Sequence, residues 1–281
     1  TTWAGVDYRY SRPKITRKNN YADFFPSMTA KYLFTPNLLG DIGWGKTIKR
    51  PDLSKLAGTT LINDVAETVT TPNTNLRPER SQKLAASLSY FFGRNSSSNV
   101  QVVASHTKVR DLQEGETLSA AEYDSYDFIS FSNAGAPVTF RSMEYSYLQY
   151  LNFLPKFLQG TSLNLSYTRT YASRRVTGVV PHPIKGGLSY RYKRFTLRFN
   201  GVFRDDSPWF QSSTNRYLKS NLKFDLSGSV KLTQNFSLYF SGRNIFEEPH
   251  RIFESSAGNP DVLWRYENYG TNWSFGIKGS F

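Results

Sequence analysis

The sequence predicts an all-β fold, an antiparallel transmembrane β-barrel segment of about 12 strands, on three observations. The first is a series of amphipathic stretches, of which TNWSFGIKGSF at residues 271–281 is the clearest. Trp273, Phe275, Ile277 and Phe281 fall on one face there, and Asn272, Ser274, Lys278 and Ser280 on the other. About eleven residues of tilted strand is the length needed to cross a bilayer. The second is an aromatic content of 16%, from 18 Tyr, 21 Phe and 5 Trp, high enough to furnish the girdles that barrels place at both membrane interfaces. The third is the alternation of short and long links between strands, which sorts the connections to two sides of a sheet.

Taken in order, the first strands are Trp3 to Tyr10, Ser27 to Phe34 and Leu38 to Lys49. A basic loop through Arg12, Pro13, Lys14, Arg17 and Lys18 joins the first two, and the tight turn Thr35, Pro36, Asn37 joins the next. Ser81 to Phe92 and Asn99 to Val109 flank Gly93, Arg94, Asn95 and a serine run, the composition of a flexible turn. Phe140 to Phe153 and Thr161 to Tyr171 flank Leu154, Pro155 and Gly160. Lys185 to Tyr192 and Phe195 to Arg204 are separated only by Lys193 and Arg194, a hairpin-sized link. Tyr217 to Leu232, Phe236 to Arg243 and the terminal stretch complete the set.

The short links are residues 35–37, 93–98, 154–160, 193–194 and 233–235, and they alternate with the long ones at 11–26, 50–80, 110–139, 172–184, 205–216 and 244–270. A soluble sandwich has no reason to sort loop lengths by side. Facing agrees with the barrel. Phe224, Leu226, Val230 and Leu232 alternate with Lys223, Asp225, Ser227, Ser229 and Lys231, and Phe195, Leu197, Phe199 and Phe203 alternate with Thr196, Arg198, Asn200 and Arg204. A charge facing lipid at the midplane costs about 2–4 kcal/mol, so the face with Lys223, Asp225 and Arg198 is expected to line the lumen. Lys31, Lys49, Arg191, Arg243 and Lys278 are expected there too. His106 breaks the pattern, sharing parity with Val100 and Val102, which requires either a bulge or a strand that has already left the hydrocarbon. Tyr90, Phe92, Phe153, Tyr192, Phe195, Phe236 and Phe281 are expected in a girdle beside the short turns, and Tyr8, Tyr10, Trp44, Tyr171, Phe203, Tyr239 and Trp273 in one toward the long loops.

Composition excludes several alternatives. At 281 residues and 38% hydrophobic content, the chain suits one large all-β domain over 1–281, and no window approaches the roughly 18–20 apolar residues of a membrane helix. The mean hydropathy of −0.51 does not argue against a barrel, whose lumen and loops are polar. With no cysteine, disulfides, thiolate metal sites and cysteine nucleophiles are out, as suits an oxidising envelope. The formal charge of +13 is scattered singly along polar faces rather than gathered in a patch, so no nucleic-acid partner is expected. The chain opens at Thr1 directly in a strand pattern, an expectation of a processed or truncated piece.

Four stretches in order carry a family resemblance. Phe25 and Pro26 open a strand that leads through a turn and a second strand to Lys49, Arg50, Pro51 and Asp52. NLRPERS at residues 75–81 precedes the next strand, and RNIFEEP at 243–249 ends the penultimate one. Tyr266, Glu267, Tyr269 and Gly270 lead into the terminal strand and its closing Phe281. In these the chain resembles the C-terminal half of the β-barrel of a TonB-dependent outer-membrane receptor.

The resemblance implies a barrel of 22 strands around an N-terminal plug, with this chain as the last 12, the plug and first strands absent, and every long loop extracellular. It also implies the outer membrane of a Gram-negative bacterium, uptake of a scarce small-molecule nutrient such as a siderophore or oligosaccharide, and contact with the TonB system through the missing N-terminal part. Outer-membrane lipid would surround it. Ser274, Gly276 and Phe281 resemble the signal read by the barrel-assembly machinery, although Gly279 stands where that signal usually has a hydrophobic residue. The alternative is a complete 12-stranded barrel, an autotransporter translocator or outer-membrane phospholipase, which matches in size but not in motifs. A soluble β-sandwich lectin ranks third.

Catalysis has little support. Asp205 with Asp206 and Glu247 with Glu248 are sequence neighbours, which point to opposite sides of an extended chain and so do not form an acid/base pair. His106, His182 and His250 show no metal-ligand spacing, no G-x-S-x-G elbow is present, and no cofactor is expected. Ligand contacts are expected from the long loops. Trp209, Phe210 and Trp264 are candidates to stack on a sugar or aromatic ligand, and Arg174, Arg175, Arg216 and Arg265 to pair with anionic groups. The competing reading of the same residues is loop-to-loop packing.

Overall fold

The computed structural model describes residues 20, 22–57, 59–63, 68–118, 127–209, 215–256 and 258–279. Its strands are β1 (Ser27–Thr35), β2 (Leu38–Lys49), β3 (Leu61–Asn63), β4 (Thr68–Thr70), β5 (Glu79–Phe92), β6 (Ser98–Arg110), β7 (Gln113–Leu118), β8 (Asp127–Asn133), β9 (Val138–Tyr150) and β10 (Thr161–Ala172). They continue with β11 (Ile184–Tyr192), β12 (Phe195–Arg204), β13 (Ser207–Pro208), β14 (Arg216–Leu218), β15 (Asn221–Lys231), β16 (Phe236–Arg243), β17 (His250–Ser256), β18 (Asn259–Glu267) and β19 (Asn272–Gly279). The one described α-helix, α1 (Leu53–Ala57), is five residues long, and no described helix is long and apolar enough to cross a membrane.

An 11-stranded sheet forms the wall, in the order β1-β2-β5-β6-β9-β10-β11-β12-β15-β16-β19. Each wall strand pairs antiparallel with the next one along the chain, the up-and-down meander of a membrane barrel. These are the expected strands with ends shifted by a few residues; the remaining one, Trp3 to Tyr10, lies outside the described residues. The sheet is open, with β1 and β19 at its edges.

The register gives the wall two faces. Facing outward in β12, Phe195, Leu197 and Phe199 stand opposite Val230, Gly228 and Leu226 of β15, whose neighbours on β16 are Leu238, Phe240 and Gly242. The row ends on Ile277, Phe275 and Trp273 of β19. The other face carries Arg198 opposite Ser227 and Asn200 opposite Asp225, and all of Lys31, Lys49, Arg191, Lys223, Arg243 and Lys278 share it. The outward face is uncovered: Phe275 is 74% exposed and Leu88 47%. In a water-soluble sandwich that face would be the core. The buried apolar residues, among them Val69, Phe128, Val138 and Ile252, lie instead under the long connections.

His106 is placed without a bulge, because β5 and β6 pair in continuous register from Arg80 opposite Arg110 to Phe92 opposite Ser98. It faces outward near the long-loop end, where the strand emerges from the apolar band. Of the girdle residues, Tyr90, Phe92, Tyr192, Phe195 and Phe236 face outward near the short turns, and Trp44, Tyr171, Phe203 and Trp273 near the long loops. Tyr8, Tyr10 and Phe281 lie outside the described residues. Tyr239 departs from expectation: it sits mid-strand opposite Gly276 on the lumen face, where its ring covers that glycine.

The long connections hold structure that periodicity did not show. Residues between the wall strands form a sheet in the order β3-β4-β8-β7 and another in the order β13-β14-β17-β18. The expected strand Tyr217 to Leu232 divides accordingly. Tyr217 and Leu218 pair with Phe253 and Ile252 in the second loop sheet. Asp206 takes the Ser220 N–H at 2.6 Å and the Lys219 ammonium at 3.1 Å, interrupting the ladder before β15 begins.

Candidate functional site

Polar side chains fix the loops to the long-loop rim. At the exit of β16, Asn244 has φ 51°, which asparagine tolerates better than most residues. Its backbone N–H donates to Asp225 at 2.9 Å, its amide donates to the Glu248 carbonyl at 3.0 Å, and the Glu248 N–H returns a bond to Asn244 Oδ1 at 3.0 Å. Asn133, at the end of β8, plays the matching part on the first loop sheet. It accepts the Arg77 N–H at 2.8 Å and donates to the carbonyls of Arg77 and Asp111 at 2.9 and 2.7 Å. Arg77 adds an ion pair with Asp111 at 2.7 Å, and Leu76 beside it is buried at 3% exposure. Two of the sequence motifs, NLRPERS and RNIFEEP, are thus the residues that turn wall strands into folded loops.

Between the rim, the first loop sheet and the 173–183 connection lies a polar cleft of about 530 Å³. Lys49, Lys55, Arg174 and Arg175 line it with the carboxylates Glu79 and Glu114. Glu79, only 6% exposed, accepts the Gln113 N–H at 3.1 Å and the Lys49 ammonium at 3.4 Å, tying wall to loop. Arg174 pairs with Glu114 at 2.6 Å. Lys55 stands 5.1 Å over the Phe131 ring and 3.7 Å from Asp52. Sequence reading missed Lys49, Lys55, Glu79 and Glu114 as cleft residues; the nearest signal was that Lys49 and Glu79 border two of the motifs and face each other across β2 and β5.

The second loop sheet gathers most of the other expected ligand residues. Trp209 and Arg175 both donate to the Arg216 carbonyl, Trp209 through its backbone N–H at 3.0 Å. The Arg216 guanidinium pairs with Glu254 at 2.8 Å and lies 4.1 Å from the Trp264 ring centre, a cation–π contact that occupies one side of that indole. Among the described residues, the buried Trp209 indole N–H has no hydrogen-bond partner. Arg265 pairs with Glu267 on the same strand. Phe210 lies outside the described residues. Arg175 therefore links the cleft to the Trp209–Arg216–Trp264 cluster, whereas Arg174 belongs to the cleft and Arg265 to the outer edge of β18.

Electrostatics tighten this second sheet. Tyr217 donates to Asp261 at 2.6 Å, which pushes the phenol up to about 12 and holds the Asp261 carboxyl below its usual range. His250 lies 2.6 Å from the Lys223 ammonium; burial, then that charge, lowers its pKa and favours the neutral ring as acceptor. Among the described residues no group of three or more His, Cys, Asp or Glu is placed to hold a metal.

The family model described as TonB dependent receptor-like, beta-barrel matches residues 3–245. The chain belongs to that family. No curated protein sequence matches it. Among solved structures it is similar to the ferric enterobactin receptor PfeA of Pseudomonas aeruginosa, at a TM-score of 0.64 and 14% identity over 92% of this chain and 41% of that one. The siderophore receptor PirA of Pseudomonas aeruginosa gives 0.60 and 12% over 92% and 42%, and the copper transporter OprC gives 0.60 and 13% over 91% and 39%. The chain thus spans about two fifths of the structures it matches. TonB-dependent receptors are Gram-negative outer-membrane proteins, so this open wall is part of an outer-membrane barrel.

Proposed function

We propose that this chain supplies the C-terminal strands of a larger TonB-dependent transporter, which captures a scarce small nutrient at its outer mouth and delivers it to the periplasm. The single observation that carries this reading is the cation-rich cleft at the lumenal lip of the wall, roofed by folded loops and joined through Arg175 to the Trp209–Arg216–Trp264 cluster. Lys49, Arg174 and Lys55 are paired with Glu79, Glu114 and Asp52, which leaves the Arg175 guanidinium as the charge in excess and favours an anionic ligand. Similarity in fold to siderophore receptors and a copper transporter supports metal chelates as the first class to try. Arg174 and Arg175 are the proposed anion contacts; Trp209, Phe210 and Trp264 are the proposed stacking platform, with Arg216 and Arg265 at its border.

The remaining parts of the reading concern the intact protein. It places this chain as the last 12 of 22 strands, with the plug and the TonB-contacting segment elsewhere in the same protein. The terminal strand with Phe281 is proposed to engage the barrel-assembly machinery. Membership of a receptor family supports transport rather than catalysis. The test is uptake by cells producing the intact receptor, using a panel of ferric siderophores and acidic oligosaccharides. Uptake of an anionic ligand should vanish without TonB, and Arg174→Ala with Arg175→Ala should weaken binding about tenfold, the loss of one to two charge-assisted hydrogen bonds. Uptake that persists without TonB, or affinity unchanged in the double variant, contradicts the proposal.

A further inference from the structure

The lumen face of the wall divides into two halves of different chemistry. From β11 to β19 every strand presents a lysine or arginine there, among them Arg191, Arg198, Lys223, Arg243 and Lys278, against the single carboxylate of Asp225. Across β5, β6, β9 and β10 the described lumen-facing residues include no arginine, and below the cleft their only charges are Lys83 and Glu144, of opposite sign. Hydroxyls take the place of the cations. Ser105 and Ser142 bond to each other across β6 and β9 at 2.7 Å, the Gln101 amide donates to Ser89 at 3.0 Å, and Ser87 donates to Asp41. Ser146 and Ser166 face each other further toward the short turns.

This hydroxyl strip begins at the cleft. Lys49 and Glu79, which line the cleft, head facing rows on β2 and β5 that run down the wall through Gly45, Gly43 and Ala85. Those small residues keep the wall low, where Arg198, Lys223 and Tyr239 project from the other half. A solute that must leave as well as enter is served by weak, repeated contacts. An anion on the basic half forms charge-assisted hydrogen bonds, each of which has to break before the next step. On the strip, hydroxyls already partnered along the sheet hold a passing solute only weakly. We propose that the nutrient leaves the cleft along the lumen face of β5, β6, β9 and β10, and that the basic half of the wall is not part of its route. This route presupposes the transport reading above and adds to it where in the lumen the molecule travels.

Single cysteines in the intact receptor, freed of any other cysteine, provide the test, placed at Ser105→Cys and Ser146→Cys on the strip and at Ser227→Cys and Ser274→Cys on the basic half. Cells are treated with a bulky, neutral, water-soluble methanethiosulfonate once the barrel has assembled, so that folding plays no part in the outcome. Uptake and surface binding are then measured with the panel of ferric siderophores and acidic oligosaccharides. Modification at position 105 or 146 should abolish TonB-dependent uptake and leave surface binding unchanged, whereas modification at 227 or 274 should change neither. Ser146→Arg, which carries the cationic character of the other half onto the strip, should lower the maximal rate of uptake at unchanged binding, and Ser146→Thr should not. Uptake retained after modification at both strip positions overturns the proposal, as does an equal loss at all four positions, a strip thiol that the reagent never reaches, or a Ser146→Arg receptor working at the wild-type rate. A receptor that takes up no member of the panel before modification contradicts the transport reading itself, and the route falls with it.

Discussion

Asn244 shows how one residue decides where a membrane strand stops. It holds a left-handed backbone, and its side-chain amide both donates to and accepts from Glu248, so the chain leaves β16 at a fixed angle. Asn244→Ala removes both bonds and adds a backbone penalty, about 1–2 kcal/mol together. The expected result is trypsin cleavage after Arg251 rising about five- to thirtyfold in the intact receptor, since local opening follows local stability; Asn244→Gly, which keeps the backbone conformation, should rise less. Tyr217 gives a pH signature. Its pKa is raised to about 12 by the bond to Asp261. The sign follows from linkage: the contribution is full below the ordinary phenol value near 10 and is lost as pH climbs from there toward 12. Asp261 is lowered, so at the acid end the bond survives down through the ordinary carboxylate range and fails below it. An ultraviolet titration of wild type minus Tyr217→Phe should show a single step near 12, and a step near 10 would contradict the bond.

At the scale of elements, the wall was legible in the sequence because two-residue alternation is a local property. Each of β12 and β16 was bounded to the residue by it, since Lys193–Arg194 and the exit at Asn244 leave the pattern no room to slide. The loop sheets were not legible, because β3, β4 and β14 are three residues long and β13 two, too short for any period to register. Their pairing is set by distant side chains such as Asn133 and Asp206. For the same reason the individual ligand candidates could be named by residue type, but the cleft itself, which needs Glu79 and Glu114 brought beside Arg174, could not. Tyr239 was misplaced because it was assigned by residue type, whereas its alternation with Leu238 and Phe240 puts it with Ser237 and Ser241 on the lumen face. Its real role is local: Tyr239 covers Gly276 on the lumen face while Trp273 covers Gly242 on the outward face, an aromatic-on-glycine lock in both directions across β16 and β19. A Cβ at Gly242 would meet the Trp273 ring at 2.5 Å. Gly242→Val should therefore displace Trp273 and cut the yield of heat-modifiable, folded barrel on cold gels, while Gly135→Ala, in the link between β8 and β9 with open space around it, should not disturb assembly.

At the scale of the whole molecule, the wall has an uncovered apolar face, a charged inner face and loops folded over one rim only, and these belong together in a receptor whose long loops face the outside of the cell. Orientation is thus the central claim, and the absence of cysteine from the chain makes it directly measurable. Single cysteines would be placed at Asn259→Cys, at the tip of the second loop sheet, and at Asn235→Cys, in a short turn, within an intact receptor freed of any other cysteine. Whole cells would then be treated with a membrane-impermeant maleimide. The structure predicts labelling of Asn259→Cys on intact cells and of Asn235→Cys only after the outer membrane is breached. Labelling of Asn235→Cys on intact cells, with Asn259→Cys protected, would contradict it.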